Sequence, residues 1–311
     1  MQALAWRREL PEPFLRPQPR TLLSEAVTTP DILIWRGQSI LYVGAVHEGH
    51  ERLMAVALSA DALRDARALS APQATTAVDI SPHGFDSEHV FDPAAVIVGE
   101  QVYLYYSAVG AGEDRIGLAV SDDGRVFEKY PQPVLIGRAP EVFRFEGRLD
   151  LLFVRPMPKG GYGIYLAVSD DGKLFAPLSA QPVLEAAPSP AWDSYEVTTP
   201  RLFERHGVVY MLYAASGDPT RRDKPVGFGL ARSSDLIHWE RYPHNPVFHT
   251  GKPGTWDDGA IWFGTVFEWD ERLYMMYEGG SADALMATLA RTQVGLAVLD
   301  VEIFDQAMAN W

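Results

Sequence analysis

The chain has 311 residues, of which 47% are hydrophobic and 22% charged, a composition typical of a globular protein and not of a disordered one. Its formal net charge of −14 argues against nucleic acid and anionic membrane surfaces as partners, because their phosphate groups repel an acidic protein. The absence of cysteine excludes disulfides and thiolate metal sites within the chain and is typical of a reducing compartment.

The N-terminal segment, 1–29, is rich in proline and has no apolar stretch of the kind that a secretory signal needs. No run of the sequence approaches 18 uninterrupted apolar residues, so no transmembrane helix is predicted. We therefore expect a cytoplasmic protein in which this leader runs over the surface or helps to close the fold.

Five copies of one pattern follow the leader. Each begins with two β-rich runs joined by a short turn that carries Gly or Asp, which is typical of a β-hairpin. These paired runs lie at 31–45, 94–108, 141–155, 201–215 and 264–278. A third run then carries an alanine that we take as shared, in MAVALS (54–59, with Ala57), IGLAVS (116–121), IYLAVS (164–169), FGLARS (228–233) and VGLAVL (294–299).

The second, third and fourth copies continue into a tight polar turn and an aromatic residue, at 121–127, 169–175 and 233–239, which predicts a fourth strand. Units of about 50–65 residues with four strands each predict an all-β domain spanning 1–311, a five-bladed β-propeller with four-stranded antiparallel blades. We place the blades near 30–90, 91–137, 138–190, 191–250 and 251–311. The segments 61–90, 216–227 and 279–292 are predicted rim loops, the last with a short helix.

Acidic residues lie near the start of the first strand of each blade, where a propeller gathers its strands around a central channel. In blades one to three these are Asp31, Asp92 and Glu141, which we take as equivalent positions. Converging carboxylates repel one another and burial raises the pKa of at least one of them. Such a set supplies the proton donor and the ionised base that glycoside cleavage requires, so we predict these three residues as catalytic.

Further aromatic, acidic and basic residues near the same strand ends are predicted to bind substrate, because sugar faces pack on aromatic rings while polar groups bind hydroxyls. The predicted set is His47, Arg155, Trp192, Asp193, Glu196, Arg201, Asp258, Trp262 and Glu278. His47 and His50 form an H-x-x-H pair, but this pair lacks the third ligand of a catalytic zinc site, and no metal site is predicted.

These phrases resemble the five-bladed propeller glycosidases, in particular glycoside hydrolase family 43, which includes arabinofuranosidases, xylosidases and arabinanases. The resemblance covers about residues 28–300 and lies in TPDILIWRGQSILY, FDPAAVIVGEQVYLYY and SSDLIHWERYPHNPVF. The third phrase is shared with the fructosidase and mannoside phosphorylase propellers, and the F-D-P-A of the second is similar to the F-N-P-A of the phosphorylases. No cofactor is expected, although a calcium ion in the channel occurs in some relatives.

The resemblance implies an inverting mechanism with Asp31 as general base, Asp92 as the residue that tunes pKa and orientation, and Glu141 as general acid. The acid of the family stands in an E-G-P phrase, whereas this chain reads R-A-P-E. Alignment on the strand favours Glu141, but alignment on Pro140 places Arg138 at the position of the acid.

Three functions therefore stay open. The leading prediction is a glycoside hydrolase that acts on a small carbohydrate, such as an arabinofuranoside or a xyloside. The second is a phosphorylase of the mannoside phosphorylase type, with Arg138, Arg155 and Arg201 as candidate phosphate ligands. The third is a sugar-binding propeller without catalysis, because a fold does not dictate a function.

Overall fold

Each copy of the repeat forms an antiparallel sheet in the computed structural model, which describes residues 4–64, 69, 72–110, 112–286 and 291–311. A short N-terminal strand, β1 (Arg7–Arg8), precedes blade one, which contains β2 (Ala26–Trp35), β3 (Gln38–His47), β4 (His50–Leu58) and β5 (Ala74–Val78). Blade two contains β6 (His89–Val98), β7 (Gln101–Gly110), β8 (Glu113–Ser121), β9 (Glu128–Lys129) and β10 (Leu135–Ile136).

Blade three contains β11 (Arg138–Phe145), β12 (Arg148–Pro156), β13 (Tyr162–Ser169) and β14 (Ala176–Pro177). Blade four contains β15 (Glu196–Arg205), β16 (Val208–Ser216), β17 (Gly227–Ser233), β18 (Glu240–Arg241) and β19 (Phe248–His249). Blade five contains β20 (Ala260–Trp269), β21 (Arg272–Gly280) and β22 (Gln293–Asp300), with β1 as its outer strand. The predicted all-β, five-bladed propeller is confirmed.

The described helices are short: α1 (Ala60–Arg64), α2 (Val301–Ala309) and two 3-10 turns at Pro219–Arg221 and Ala284–Met286. None of these helices has the length and apolar character needed to cross a membrane. The turn at Ala284–Met286 provides the short helix predicted within 279–292; residues 287–290 of that segment lie outside the described residues.

The hairpins between first and second strands form because their turn residues tolerate a left-handed backbone. In blade one, Arg36 and Gly37 have φ of 48° and 74°, and Glu146 and Gly147 of blade three have 49° and 87°. Two consecutive residues with positive φ match the right-handed twist of the flanking strands, as in a type I′ turn. These tight turns bring each second strand directly beside the first.

Apolar side chains pack between neighbouring blades in five clusters, one at each interface of the ring. The alanines of the third strands in blades two to five belong to this packing, since all four are fully buried. The equivalence predicted for Ala57 is wrong, because strand pairing aligns Val56 with them and Ala57 is exposed. A shift of one residue moves a side chain to the other face of a sheet.

Candidate active site

A bulge in the first strand of every blade shapes the centre of the ring. Pairing with the second strand shifts register between Thr28 and Asp31 in blade one and at the matching place in the other four blades. Inside each shift lies one residue with positive φ, namely Thr29, Asp92, Ala139, Thr199 and Phe263. Such a conformation is strained for a residue other than glycine and persists only where its surroundings enforce it. Because each of these five residues lies at the same place in the bulge of its blade, they are structurally equivalent.

The equivalence predicted for Asp31, Asp92 and Glu141 is wrong for this reason. Asp92 is the left-handed residue of its blade, whereas Asp31 and Glu141 each follow the left-handed residue by two positions. Arg201 of blade four also follows its left-handed residue by two positions. Asp31, Glu141 and Arg201 therefore lie at one level, deeper in the channel than Asp92.

Above this deeper level lies a cavity of about 340 Å³ to which all five blades contribute. Its lining includes four acidic, two basic and three aromatic residues: Glu51, Asp92, Asp223 and Glu278; Arg138 and Lys224; and Phe91, Trp262 and Phe263. A cavity of this size with polar groups among aromatic rings is typical of a small-molecule site. Of the catalytic and substrate-binding residues predicted from sequence, Asp92, Trp262 and Glu278 line it, and so does Arg138, a candidate phosphate ligand.

Three carboxyl groups of the cavity are held by hydroxyl or amide groups. Glu51 accepts a hydrogen bond from the hydroxyl of Thr28, and Asp92 accepts one from Ser107 at 2.7 Å. Glu278 accepts the backbone N–H of Thr29 at 2.9 Å, which ties blade five to blade one. The arrangement fixes three carboxyl groups from three blades around one space.

Gly44 makes room for the carboxyl group of Glu51. Gly44 pairs with Thr28 across the sheet, and a Cβ atom at this position would overlap the hydroxyl of Thr28 and the carboxyl of Glu51. A side chain at position 44 is therefore incompatible with the observed contact between Glu51 and Thr28.

Burial is the main cause of a raised pKa in all three carboxyl groups. It raises the pKa of Glu51 to about 8, that of Glu278 to about 7 and that of Asp92 to about 6. The charges of neighbouring carboxylates add to this rise, while the positive charge of Arg138 opposes it at Glu51 and Asp92. At neutral pH, Glu51 is mostly protonated and Asp92 mostly ionised, so a proton donor and a proton acceptor face the same cavity.

The basic side of the cavity comes from blade three and the segment after β16. Arg138 lies 3.4 Å from a carboxylate oxygen of Asp223 and 3.4 Å from the hydroxyl of Tyr162. Asp223 and Lys224 belong to the predicted rim loop 216–227 and line the cavity. Glu196 lies beneath this loop and accepts the N–H of Asp223 at 2.9 Å, so it holds the loop and does not line the cavity.

Asp31, Glu141 and Arg201 form a buried layer below the cavity and are not among its lining residues. The carboxylate of Asp31 accepts the N–H of Ala95 at 2.8 Å, and that of Glu141 accepts the N–H of Leu202 at 2.7 Å and one N–H of Arg201 at 3.0 Å. Burial raises the pKa of both acids, to about 7 for Glu141, against the opposing charge of Arg201. Asp31, Glu141 and Arg201 therefore do not line the described cavity, contrary to the expectation from sequence.

Trp192 and Asp193 belong to a recurring structural contact. The carboxylate of Asp193 accepts hydrogen bonds from Tyr213 at 3.1 Å and Arg241 at 2.9 Å, while Trp192 stacks on Tyr213. In blade five, Asp257 accepts bonds from Tyr277 and Arg8 in the same way. Because a buried carboxylate needs such partners, this contact explains the recurring aromatic-Asp pair without a substrate.

Three other residues predicted to bind substrate lie away from the cavity lining. His47 contacts the hydroxyl of Ser24 at 2.8 Å. Arg155 donates to the carbonyl of Ile136 at 3.0 Å. Asp258 accepts the N–H groups of Gly254 and Ala282 and so caps a loop.

Sequence reasoning missed Glu51, although a signal for it exists. Glu51 lies at the start of β4 and alternates with Leu53 and Ala55, which are both buried. Successive side chains of a strand point to opposite faces, so Glu51 faces the same side as these two. A carboxylate on the same side of a strand as buried apolar residues indicates a polar cavity.

Within the described ranges, no group of three or more His, Cys, Asp or Glu side chains is arranged to hold a metal ion. The cavity chemistry described above comes from carboxyl, hydroxyl, guanidinium and aromatic groups of the protein itself.

No protein-family model matches the sequence, and no curated protein matches it significantly. Solved structures do match the fold. One belongs to the GH130 family of mannoside phosphorylases, described as containing glycoside hydrolases that target β-1,2-mannosidic linkages in Candida mannan; it has a TM-score of 0.75 and 14% identity, over 97% of this chain and 95% of that chain.

A glycosyl hydrolase from Bacteroides ovatus has a TM-score of 0.74 at 15% identity, over 97% of this chain and 95% of that chain. A thermostable family-43 glycoside hydrolase has a TM-score of 0.66 at 17% identity, over 90% and 91%. At these identities the likeness is one of fold, and it confirms the resemblance to the five-bladed propellers of glycoside hydrolases.

Proposed function

We propose that this protein cleaves glycosidic bonds by hydrolysis in the central cavity, with Glu51 as proton donor and Asp92 as ionised partner. The observation that carries the proposal is that Glu51, Asp92 and Glu278 line one cavity and have pKa values spread around neutrality, at about 8, 6 and 7. Glycoside hydrolysis needs one carboxylic acid and one carboxylate at the scissile bond. Asp92 then activates water while Glu51 protonates the leaving oxygen.

The cavity suits the terminal sugar of a small glycoside or short oligosaccharide. Phe91, Trp262 and Phe263 offer faces against which a sugar ring packs. Below them, Arg201 spans the channel with hydrogen bonds to carbonyls of blades two and three. If Arg201 closes the inner end of the cavity, the site admits the end of a chain and excludes its middle.

The test is a panel of nitrophenyl glycosides offered to the wild type and to D92N and E51Q. We expect turnover of at least one glycoside by the wild type and a loss of about 10²–10⁴-fold in kcat in each variant, the usual contribution of general acid–base catalysis. E48Q is the matched control, because Glu48 lies in the β3–β4 turn, three residues before Glu51, and its side chain is 80% exposed.

Absence of turnover by folded wild type would contradict the proposal, as would full activity in D92N. Calorimetric binding of a sugar without turnover would instead identify a sugar-binding propeller.

Phosphorolysis is the second candidate, because Arg138 and Lys224 line the same cavity as Asp92. Guanidinium and ammonium groups are the usual protein ligands of phosphate. Release of a sugar phosphate that depends on added inorganic phosphate, and that falls in R138Q, would favour this reaction over hydrolysis.

A further inference from the structure

The guanidinium group of Arg201 joins four of the five blades. Arg201 belongs to β15 of blade four, and its exposed fraction is 1%. It donates to the carbonyl of Pro93 in blade two at 2.8 Å and to that of Pro140 in blade three at 2.9 Å. Its guanidinium carbon lies 4.8 Å from the ring centre of Phe263 in blade five. Glu141 holds it with an ion pair of 3.0 Å.

Two of the carbonyl groups that Arg201 binds, those of Pro93 and Pro140, belong to the bulges of strands in other blades. Pro93 directly follows the left-handed Asp92, and Pro140 directly follows the left-handed Ala139. The register shifts between Phe91 and Ala94, and between Arg138 and Glu141, take these peptides out of regular strand pairing. A buried carbonyl outside the ladder needs another donor, and Arg201 supplies it at both places.

We propose that Arg201 is a positioning residue of the cavity, which fixes the peptides that carry Asp92 and Arg138 without contacting substrate itself. The kinetic test of this proposal rests on the proposed function, because kcat can be measured only if the protein turns over a glycoside. Asp92 needs such support because its left-handed conformation is strained, and the bulge would otherwise relax and turn the carboxylate away. Phe263, which lines the cavity, rests on the same guanidinium group.

A second effect of Arg201 on Asp92 is electrostatic. The positive charge of Arg201 favours the ionised form of Asp92 and lowers its pKa against the effect of burial. Loss of that charge should therefore raise the pKa of Asp92 above about 6. A residue that only stabilised the fold would leave this titration unchanged.

Two variants separate the geometric effect from the electrostatic one. R201K keeps the charge but cannot span both carbonyl groups, so we expect kcat to fall by about 10²-fold with the pKa of Asp92 close to that of the wild type. R201Q combined with E141Q removes the charge without leaving the carboxylate of Glu141 buried and unpaired. In this double variant we expect a raised pKa of Asp92, and an acidic limb of the pH–rate profile that moves to higher pH.

The pKa of Asp92 is measured by carbon NMR of its carboxyl group, and stability by thermal unfolding. D193N is the matched control, because it also removes the charge of a buried carboxylate that pairs with an arginine, but it lies in the structural contact with Arg241. It should lower Tm without moving the titration of Asp92. If the double variant does not fold, R201K decides the question through its loss of kcat at retained stability.

An Asp92 titration that does not move in the double variant, with losses of kcat no larger than in D193N, would overturn the proposal. If the wild type turns over no glycoside, the proposed function fails, but the titration of Asp92 still decides whether the charge of Arg201 acts on Asp92.

Discussion

The protonation states in the cavity follow from how near each carboxyl group is to a cation. In the part of the chain that the structure describes, Glu51, Asp92 and Glu278 form no ion pair with Lys or Arg. Arg138 and Arg201 both act on Asp92, however, and oppose the rise in its pKa more effectively than at the other two acids. The resulting order places the pKa of Asp92 lowest and that of Glu51 highest.

A bell-shaped pH dependence of kcat/KM is expected from this order. Activity requires ionised Asp92 and protonated Glu51, so it should fall below about pH 6 as Asp92 gains a proton and above about pH 8 as Glu51 loses one. Initial rates between pH 4 and 10 test this, with CD spectra to verify folding. A profile that keeps rising above pH 9 would exclude Glu51 as the acid.

E51Q should also change how stability depends on pH. Because the pKa of Glu51 is raised from 4.5 to about 8 in the folded protein, the folded state binds this proton more tightly than the unfolded state. The contribution of Glu51 to wild-type stability is therefore greatest below about pH 4.5 and is lost as the pH rises towards 8. We expect E51Q to raise Tm by a few degrees at pH 8.5 and to leave it nearly unchanged at pH 4.5. Equal changes at both pH values would contradict the raised pKa.

The sequence contained enough information to place some of these residues but not all. Asp92, Trp262 and Glu278 were predicted and line the cavity, as does Arg138, a candidate phosphate ligand. Asp31 and Glu141 were predicted at the level of Asp92, but each follows the residue equivalent to Asp92 by two positions. The error arose because alternation along a strand does not reveal a bulge. Pro30, Pro93, Pro140 and Pro200 mark the common register in four blades, and alignment on them pairs Asp92 with Thr29 and Ala139.

At the scale of the strands and loops, blades two, four and five share one buried aspartate before the first strand. Asp86, Asp193 and Asp257 each accept a hydrogen bond from a tyrosine of the second strand and pair with a cation from an outer strand. The contact ties the loop before the first strand to the outer edge of the same blade. This explains why acidic residues recur near the channel without all of them facing it.

D193N should therefore destabilise the protein and leave its catalytic activity unchanged. Loss of the ion pair between Asp193 and Arg241 should lower the free energy of unfolding by about 1–3 kcal/mol. The effect is limited because the side chain of Arg241 is partly exposed to solvent. The measurement is urea unfolding, with D258N as control because Asp258 lies in an exposed loop cap. A large rise in KM of D193N at unchanged stability would instead support the sequence-based prediction that Asp193 binds substrate.

At the scale of the whole molecule, the ring closes through its N-terminal strand. β1 pairs with β22, with Arg7 opposite Val298 and Arg8 opposite Ala297, and so completes the last blade from the first residues of the chain.

The five blades were predictable because hairpin and third-strand patterns recur five times. The leader was expected to run over the surface or to help close the fold, but β1 itself was not predicted, because a strand of two residues leaves no periodic signal. Phe14 and Leu15 follow β1 and are fully buried, so the leader is part of the core.

Closure should depend on Arg8 far more than on its neighbour Arg7. Arg8 pairs with the buried carboxylate of Asp257 at 2.7 Å and lies 4.5 Å from the ring centre of Phe248, whereas the side chain of Arg7 is 59% exposed. R8A leaves Asp257 buried without its cation and should lower the free energy of unfolding by about 2–4 kcal/mol. R7A should change it by less than about 0.5 kcal/mol, as surface substitutions usually do.

Urea unfolding of both variants, followed by tryptophan fluorescence, measures the difference. Limited proteolysis adds a structural readout, because a strand that detaches exposes the segment between β1 and β2 to cleavage. If R8A and R7A unfold at the same urea concentration and are cut at the same rate, the contact between Arg8 and Asp257 does not secure the ring, and the pairing of β1 with β22 must be held by the buried side chains of Phe14 and Leu15 instead.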